Sequence, residues 1–253
     1  MTSISITWIS FGLAILINVA LSFVLISLPN SVGDAIGKKV INEIRRKGFH
    51  VNGFCYPSLY YILYRGGVAS KSTVVLFSSL FSIAFALFEL LRIVFPCFNR
   101  FSLKYLSRVM RKKERHDVTA LFHFANGALF SVLFFPPAAA IIGMGHVVVG
   151  DVAAAITGVA FGKIRIKGKK TLEGTLGCLI ACFLSGFVFS SLTLAIPVHC
   201  SLVSGLISAL FATLAELYAD SRLDDNFIMP IAGSLGVVLP IKVLLGSTSF
   251  LYF

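Results

Sequence analysis

Apolar runs near twenty residues long recur about eight times in this chain, and that repetition decides its fold class. A helix needs roughly 20 mostly apolar residues to cross a bilayer. The candidate spans are Ile4–Leu28, Gly48–Tyr64, Thr73–Cys97, Val118–Phe135, Ala138–Gly162, Gly174–Pro197, Ser201–Ala219 and Phe227–Phe253. Hydrophobic residues make up 57% of the 253 positions and charged residues only 13%, far from a soluble domain's balance. The runs are too long and too little alternating for barrel strands. The reading is therefore an all-α integral membrane protein, a polytopic bundle of about 7–8 transmembrane helices. The weakest span is Gly48–Tyr64, because it carries His50, Asn52 and Pro57; it is expected to be short or partly re-entrant. The first run has no basic leader and no small-residue cleavage site after Leu28, so it reads as a retained anchor.

Charge sets the expected orientation. Most of the 22 basic residues fall in alternate loops. Lys38, Lys39, Arg45, Arg46 and Lys47 follow span one, and Arg100, Lys104, Arg108, Arg111, Lys112, Lys113 and Arg115 follow span three. Lys163, Arg165, Lys167, Lys169 and Lys170 follow span five, and Arg222 follows span seven. The positive-inside rule places these loops in the cytoplasm. The formal net charge of +11 thus suits topology and anionic lipid headgroups. It does not suit nucleic acid, since aromatic interleaving is missing from these loops. Five cysteines (Cys55, Cys97, Cys178, Cys182, Cys200) show no metal spacing and read as packing residues. The chain reads as one transmembrane catalytic domain, 1–253. Ser31–Lys47 and Phe98–Asp117 are its two substantial cytoplasmic segments, the second expected to form an amphipathic surface helix.

Against this background the ionisable residues inside or beside spans point to chemistry. Asp151 follows Gly150, roughly 15 Å of helix from Gly162, and a carboxylate at that depth costs several kcal/mol unless paired, protonated or metal-bound. Asp151, Ala155, Gly158 and Gly162 share a helix face made of small residues. Gly158 and Gly162 alone also fit a helix-packing motif. Next, Lys169-Lys170-Thr171-Leu172-Glu173-Gly174-Thr175 sets two cations against a helix N-terminus, a natural phosphate cradle. It is not a Walker A loop, because Gly162 and Gly168 are separated by five residues and Lys170 stands where Ser or Thr should be. A basic loop with Thr171 and Glu173 capping the next helix fits equally. Glu216 and Asp224-Asp225-Asn226 add oxygen ligands at the same membrane face, and Mg²⁺ is commonly held by one or two carboxylates plus substrate phosphates. Arg45-Arg46-Lys47-Gly48-Phe49-His50 opens span two with cations and a group able to donate to phosphate or shuttle a proton. All four clusters converge on the cytoplasmic side.

These blocks, with the continuation Phe227-Ile228-Met229-Pro230, resemble the signature blocks of the CTP-dependent lipid-alcohol kinases: dolichol kinase, fungal CTP-dependent diacylglycerol kinase and plant phytol kinase. The likeness runs from about Arg45 to Gly236, leaving 1–44 as an N-terminal anchor span and basic loop. The Lys-Thr-Leu-Glu-Gly-Thr block is also similar to one in phosphatidate cytidylyltransferases, whose terminal signature is missing here. The resemblance implies transfer of the γ-phosphoryl group of CTP to a membrane lipid alcohol of the polyprenol, phytol or diacylglycerol kind, in a bacterial inner membrane or the endoplasmic reticulum. Asp151 and Glu173 would bind Mg²⁺ or activate the lipid hydroxyl. Lys169, Lys170, Thr171 and Thr175 would hold the triphosphate, and Glu216, Asp225 and Asn226 would complete the metal or nucleotide shell. Arg46, Lys47 and His50 would close over phosphate. The alternative is a cytidylyltransferase making CDP-diacylglycerol. A transporter is disfavoured because no matching pair of broken repeats is present.

Overall fold

A computed structural model describes residues 3–28, 37–106, 110, 113–115, 117–220 and 223–252. Arg108, Arg111, Lys112 and Arg222, used above for orientation, lie outside the described residues. The helices are α1 (Ser3–Ile26), α2 (Lys38–Gly48), α3 (Cys55–Arg65), α4 (Lys71–Val94), α5 (Pro96–Leu106), α6 (Ala120–Phe134), α7 (Pro137–Phe161), α8 (Leu172–Thr193), α9 (Val198–Tyr218) and α10 (Asp225–Leu245). Strands β1 (Arg165–Lys167) and β2 (Lys170–Thr171) form a small antiparallel hairpin between α7 and α8, pairing Arg165 with Thr171. Gly168 turns it at φ +57°, a conformation that costs glycine least.

Local chemistry sets the boundaries. Ser70, Thr119, Thr171 and Asp224 cap α4, α6, α8 and α10, each accepting from a backbone N–H of the first turn. Pro137 opens α7, where its missing N–H is no loss. Gly246 ends α10 in the left-handed conformation.

Among the described residues five helices, α4 and α7–α10, are long and apolar enough to cross a membrane. The 24-residue α1 packs on α2 and α3, and the 15-residue α6 packs on α4, α7 and α10. On α8 the leucine-rich face (Leu176, Ile180, Leu184, Val188, Leu192) is exposed, while Cys178, Cys182, Gly186 and Ser190 are buried. An apolar stripe that large suits lipid and not water. The bundle is therefore all-α and membrane-embedded, with the hairpin as a surface addition.

Span two differs from a plain crossing. Residues Phe49–Phe54 are a 3₁₀ segment between α2 and α3. The backbone at Gly48 and Cys55 stays right-handed helical, so the rod continues but tightens where His50 and Asn52 sit. The amphipathic helix expected over Phe98–Asp117 is α5, which begins at Pro96 and ends at Leu106.

α7 is the axis of the bundle, packed by α8, α10, α2, α3, α6 and α9. Its glycines make that possible. A Cβ at Gly143 would stand 2.2 Å from the Pro230 carbonyl oxygen, so α7 and α10 touch backbone to backbone there. The loops 135–137, 194–198 and 246–251 meet at one end, around Ala138, Leu194, Cys200, Ile241 and Leu251. The charged segments gather at the other end.

Candidate functional site

The charged end is organised around two lysine–carboxylate pairs. The first depends on Gly48. A Cβ there would come within 3.0 Å of Leu25 Cβ, so a bare glycine lets α2 press on α1. The adjacent Lys47 is thereby driven into the bundle, where it is buried and its Nζ donates to Asp151 Oδ2. His50 Nδ1 lies 3.7 Å from the same oxygen. Asp151 is thus paired, which answers the cost of burying it.

The second pair joins β2 to α9. Lys170 Nζ lies 2.9 Å from Glu216 Oε1 and also donates to the Glu216 carbonyl oxygen. The two pairs flank a common wall: Gly150 faces Cys178 and Cys182, the Thr213 hydroxyl points at Cys178 Sγ at 3.6 Å, and Glu216 follows Thr213 by one turn.

Asn226, in the first turn of α10, is buried. Its Nδ2 donates to Asp224 Oδ1 at 2.8 Å and to Asp225 Oδ1 at 2.9 Å. Thr171 caps α8 by accepting from Gly174 N at 3.2 Å, and the Thr175 hydroxyl donates to the Thr171 carbonyl at 3.0 Å. A Cβ on Gly174 would sit 2.9 Å from Ala154 O, so this helix start lies directly against α7.

Three expected site residues stand apart from this core. Glu173 is half-buried and accepts from Ile164 N at 3.3 Å, fastening the hairpin to α8. Lys169 is exposed on the hairpin. Arg46 turns to Glu43, with Nε 3.0 Å from Oε2, and its guanidinium holds the Glu43 carboxyl below the usual carboxylate range. The four carboxylates expected to share Mg²⁺ (Asp151, Glu173, Glu216 and Asp225) are not gathered into one cluster. Among the described residues no group of three or more metal-ligating side chains forms. A cation that arrives with a phosphate needs only one or two protein carboxylates, and the adjacent Asp224 and Asp225 are a pair that could hold one.

The structure adds three features not read from the sequence. A cavity of about 590 Å³ opens beside the first pair, lined by His50, Asn52 and Asn226 and walled by Tyr56, Phe85 and Phe124. A buried network fastens its rim. Glu89 Oε1 accepts from Thr119 Oγ1 at 2.6 Å, Glu89 Oε2 accepts from Arg92 at 2.7 Å, and Arg92 also donates to the carbonyls of Arg115 and Asp117. The available signal was two opposite charges one turn apart in an apolar run. Finally, His146 is fully buried, with Nε2 2.7 Å from Ser208 Oγ, and Ser208 donates to Gly233 O at 2.9 Å. That is interhelical bonding of α7, α9 and α10.

Comparison with known proteins follows this geometry. The model of the "Cytidylyltransferase family" matches residues 3–221. A protein named CTP-dependent diacylglycerol kinase 1 from Saccharomyces cerevisiae is 28% identical over 228 residues, covering 83% of this chain and 76% of its own. One of the same name from Eremothecium gossypii is 27% identical over 224 residues, covering 80% and 68%. An uncharacterized protein of Rickettsia prowazekii is 23% identical over 201 residues, covering 78% and 94%. No solved structure matches.

Proposed function

The chain belongs to the cytidylyltransferase family, and from that premise we propose that it is a CTP-dependent lipid kinase that phosphorylates diacylglycerol. Two relatives carrying the name CTP-dependent diacylglycerol kinase support the reaction type. The observation that carries the reading is that His50 belongs to two places at once. It stands 3.7 Å from Asp151 in the charged cluster, and it lines the apolar cavity. A water-borne triphosphate and a membrane-borne hydroxyl can meet only at such a junction.

The chemistry needs positioning and charge neutralisation more than covalent catalysis. Lys47 and Lys170, with Lys169 on the exposed hairpin, place positive charge where the triphosphate lies, and the N-terminus of α8 at Thr171–Thr175 adds backbone donors. The lipid oxygen attacks the γ-phosphorus; its new P–O bond forms as the bond to the β-phosphate oxygen breaks and CDP leaves. The hydroxyl proton passes to the Asp151–His50 couple. Asn226 orients what lies between that couple and Asp225. Mg²⁺, when bound with the nucleotide, would neutralise phosphate charge, with Asp224 and Asp225 as its protein ligands. Arg46 and Glu173 act at the margin, the first on α2 and the second by holding the hairpin. The reaction is assigned to the cytoplasmic face, where the basic loops belong.

The test is a transfer assay on purified protein with [γ-³²P]CTP, Mg²⁺ and diacylglycerol, a polyprenol or phytol offered separately. Label should enter diacylglycerol and be lost in Asp151→Asn. Pyrophosphate release on adding phosphatidate, with no labelled lipid from any alcohol, would replace this reading with a cytidylyltransferase. Label in polyprenol or phytol alone would correct the acceptor.

A further inference from the structure

We propose that the 590 Å³ cavity holds the acyl chains of the lipid acceptor and that Asn52 receives its hydroxyl; this rests on the kinase reading above. Three observations carry it. First, the lining is graded. His50, Asn52, Glu114, Thr119 and Asn226 lie toward the charged end, whereas Tyr56, Leu59, Phe81 and Phe85 line the part reaching into the apolar layer. Phe81, Phe85 and Phe88 occupy one face of α4 and together cover about 10 Å of helix axis. That polarity matches a lipid with a small hydroxylated head and hydrocarbon arms.

Second, the wall is aromatic and internally satisfied. The Tyr56 ring stands 6.1 Å from Phe81 and 6.4 Å from Phe124, and its hydroxyl is bonded to Ser78 Oγ. It therefore brings no unpaired hydroxyl to the cavity. Phe81 and Leu121 are lining residues that are also exposed on the flank of the bundle, 38% and 42%. The cavity thus has a side opening through which a chain can slide from the bilayer.

Third, Asn52 at the head end carries an unmatched acceptor. Asn52 Nδ2 donates to Ser22 Oγ at 3.0 Å, while the buried Asn52 Oδ1 has no hydrogen-bond partner among the described residues. A buried acceptor without a donor is costly, and a lipid hydroxyl supplies the missing donor as the acceptor docks, before it turns its proton to the Asp151–His50 couple for transfer. The 3₁₀ segment Phe49–Phe54 puts His50 and Asn52 on one short stretch, so the residue that orients the hydroxyl sits two positions from the one that faces Asp151. Asn52 is a positioning residue, and the aromatic wall sets chain preference.

The test uses the full chain in phosphatidylcholine nanodiscs with a diacylglycerol bearing a photoactivatable diazirine on one acyl chain. After irradiation, labelled peptides are mapped, and lipid phosphate formed from CTP is measured in parallel. Label is expected in the segments holding Tyr56, Phe85 and Phe124, displaced by excess unlabelled diacylglycerol. Phe85→Trp should cut turnover of dioleoylglycerol several-fold while sparing dihexanoylglycerol. Asn52→Leu should raise KM for diacylglycerol about tenfold, the worth of one lost hydrogen bond, with KM for CTP unchanged. Lipid phosphate formed while label falls only on outer faces such as α8, undisplaced, would overturn the cavity assignment and leave the kinase standing. Cavity labelling without lipid phosphate would sink the kinase and keep the lipid site. Equal changes in both KM values, or none, would remove Asn52 from its role.

Discussion

Lys47 and Asp151 are the residues whose partnership has the clearest consequence. Both are buried, and removing one partner of such a pair costs about 3–5 kcal/mol because the other charge is left alone. Lys47→Met and Asp151→Leu should each lower thermal stability in detergent by about that amount. The double substitution should recover most of the loss yet make no lipid phosphate. Wild-type stability and turnover in either single variant would defeat the pairing. Lys170→Met should raise KM for CTP more than it lowers kcat, because Lys170 is tied to Glu216 and not to the Asp151–His50 couple; a pure kcat loss would contradict that role. Asp151 was legible from the sequence because a carboxylate deep in an apolar run demands an explanation. Its partner was not, since Lys47 sits 104 positions earlier in a cluster with four other cations and only folding selects which of them turns inward. Arg46 shows the other side of that selection: next to Lys47 in sequence, it faces Glu43 instead.

At the level of elements, the long spans were readable because length and hydropathy suffice for them. The weak second span was readable only as weak. Its division into α2, a 3₁₀ turn and α3 depends on Gly48 meeting α1, a contact that periodicity does not record. The hairpin reads as a loop in the sequence, since a three-residue and a two-residue strand carry no usable alternation. Helix crossings are equally hidden, because many glycines in apolar runs look alike. Gly143 and Gly145 separate them experimentally. A methyl at Gly143 meets backbone of α10 at 2.2 Å and 2.7 Å, whereas one at Gly145 meets only Phe54 Cε1 at 3.9 Å. Gly143→Ala should cost about 1–3 kcal/mol by overpacking and displace Asn226 with its helix. Gly145→Ala should fall within about 0.5 kcal/mol of the parent. Equal thermal shifts for the two would mean that α7 and α10 are not in contact as described.

For the whole molecule, the grouping of loops at two ends makes orientation testable. In a background with Cys55 and Cys97 replaced by Ser, Lys169→Cys should react with an impermeant maleimide from the cytoplasmic side alone, and Ser247→Cys from the opposite side alone. Reaction of both from one side would break the bundle topology. The side opening at Phe81 and Leu121 carries its own kinetic meaning. An acceptor that slides in from the flank is counted per area of membrane, not per volume of solution. Turnover should therefore follow the mole fraction of diacylglycerol in the bilayer, falling when inert phospholipid is added at constant bulk concentration, while the response to CTP keeps its ordinary dependence on molarity. The protein would then be an enzyme with one two-dimensional and one three-dimensional substrate, each with its own unit of concentration.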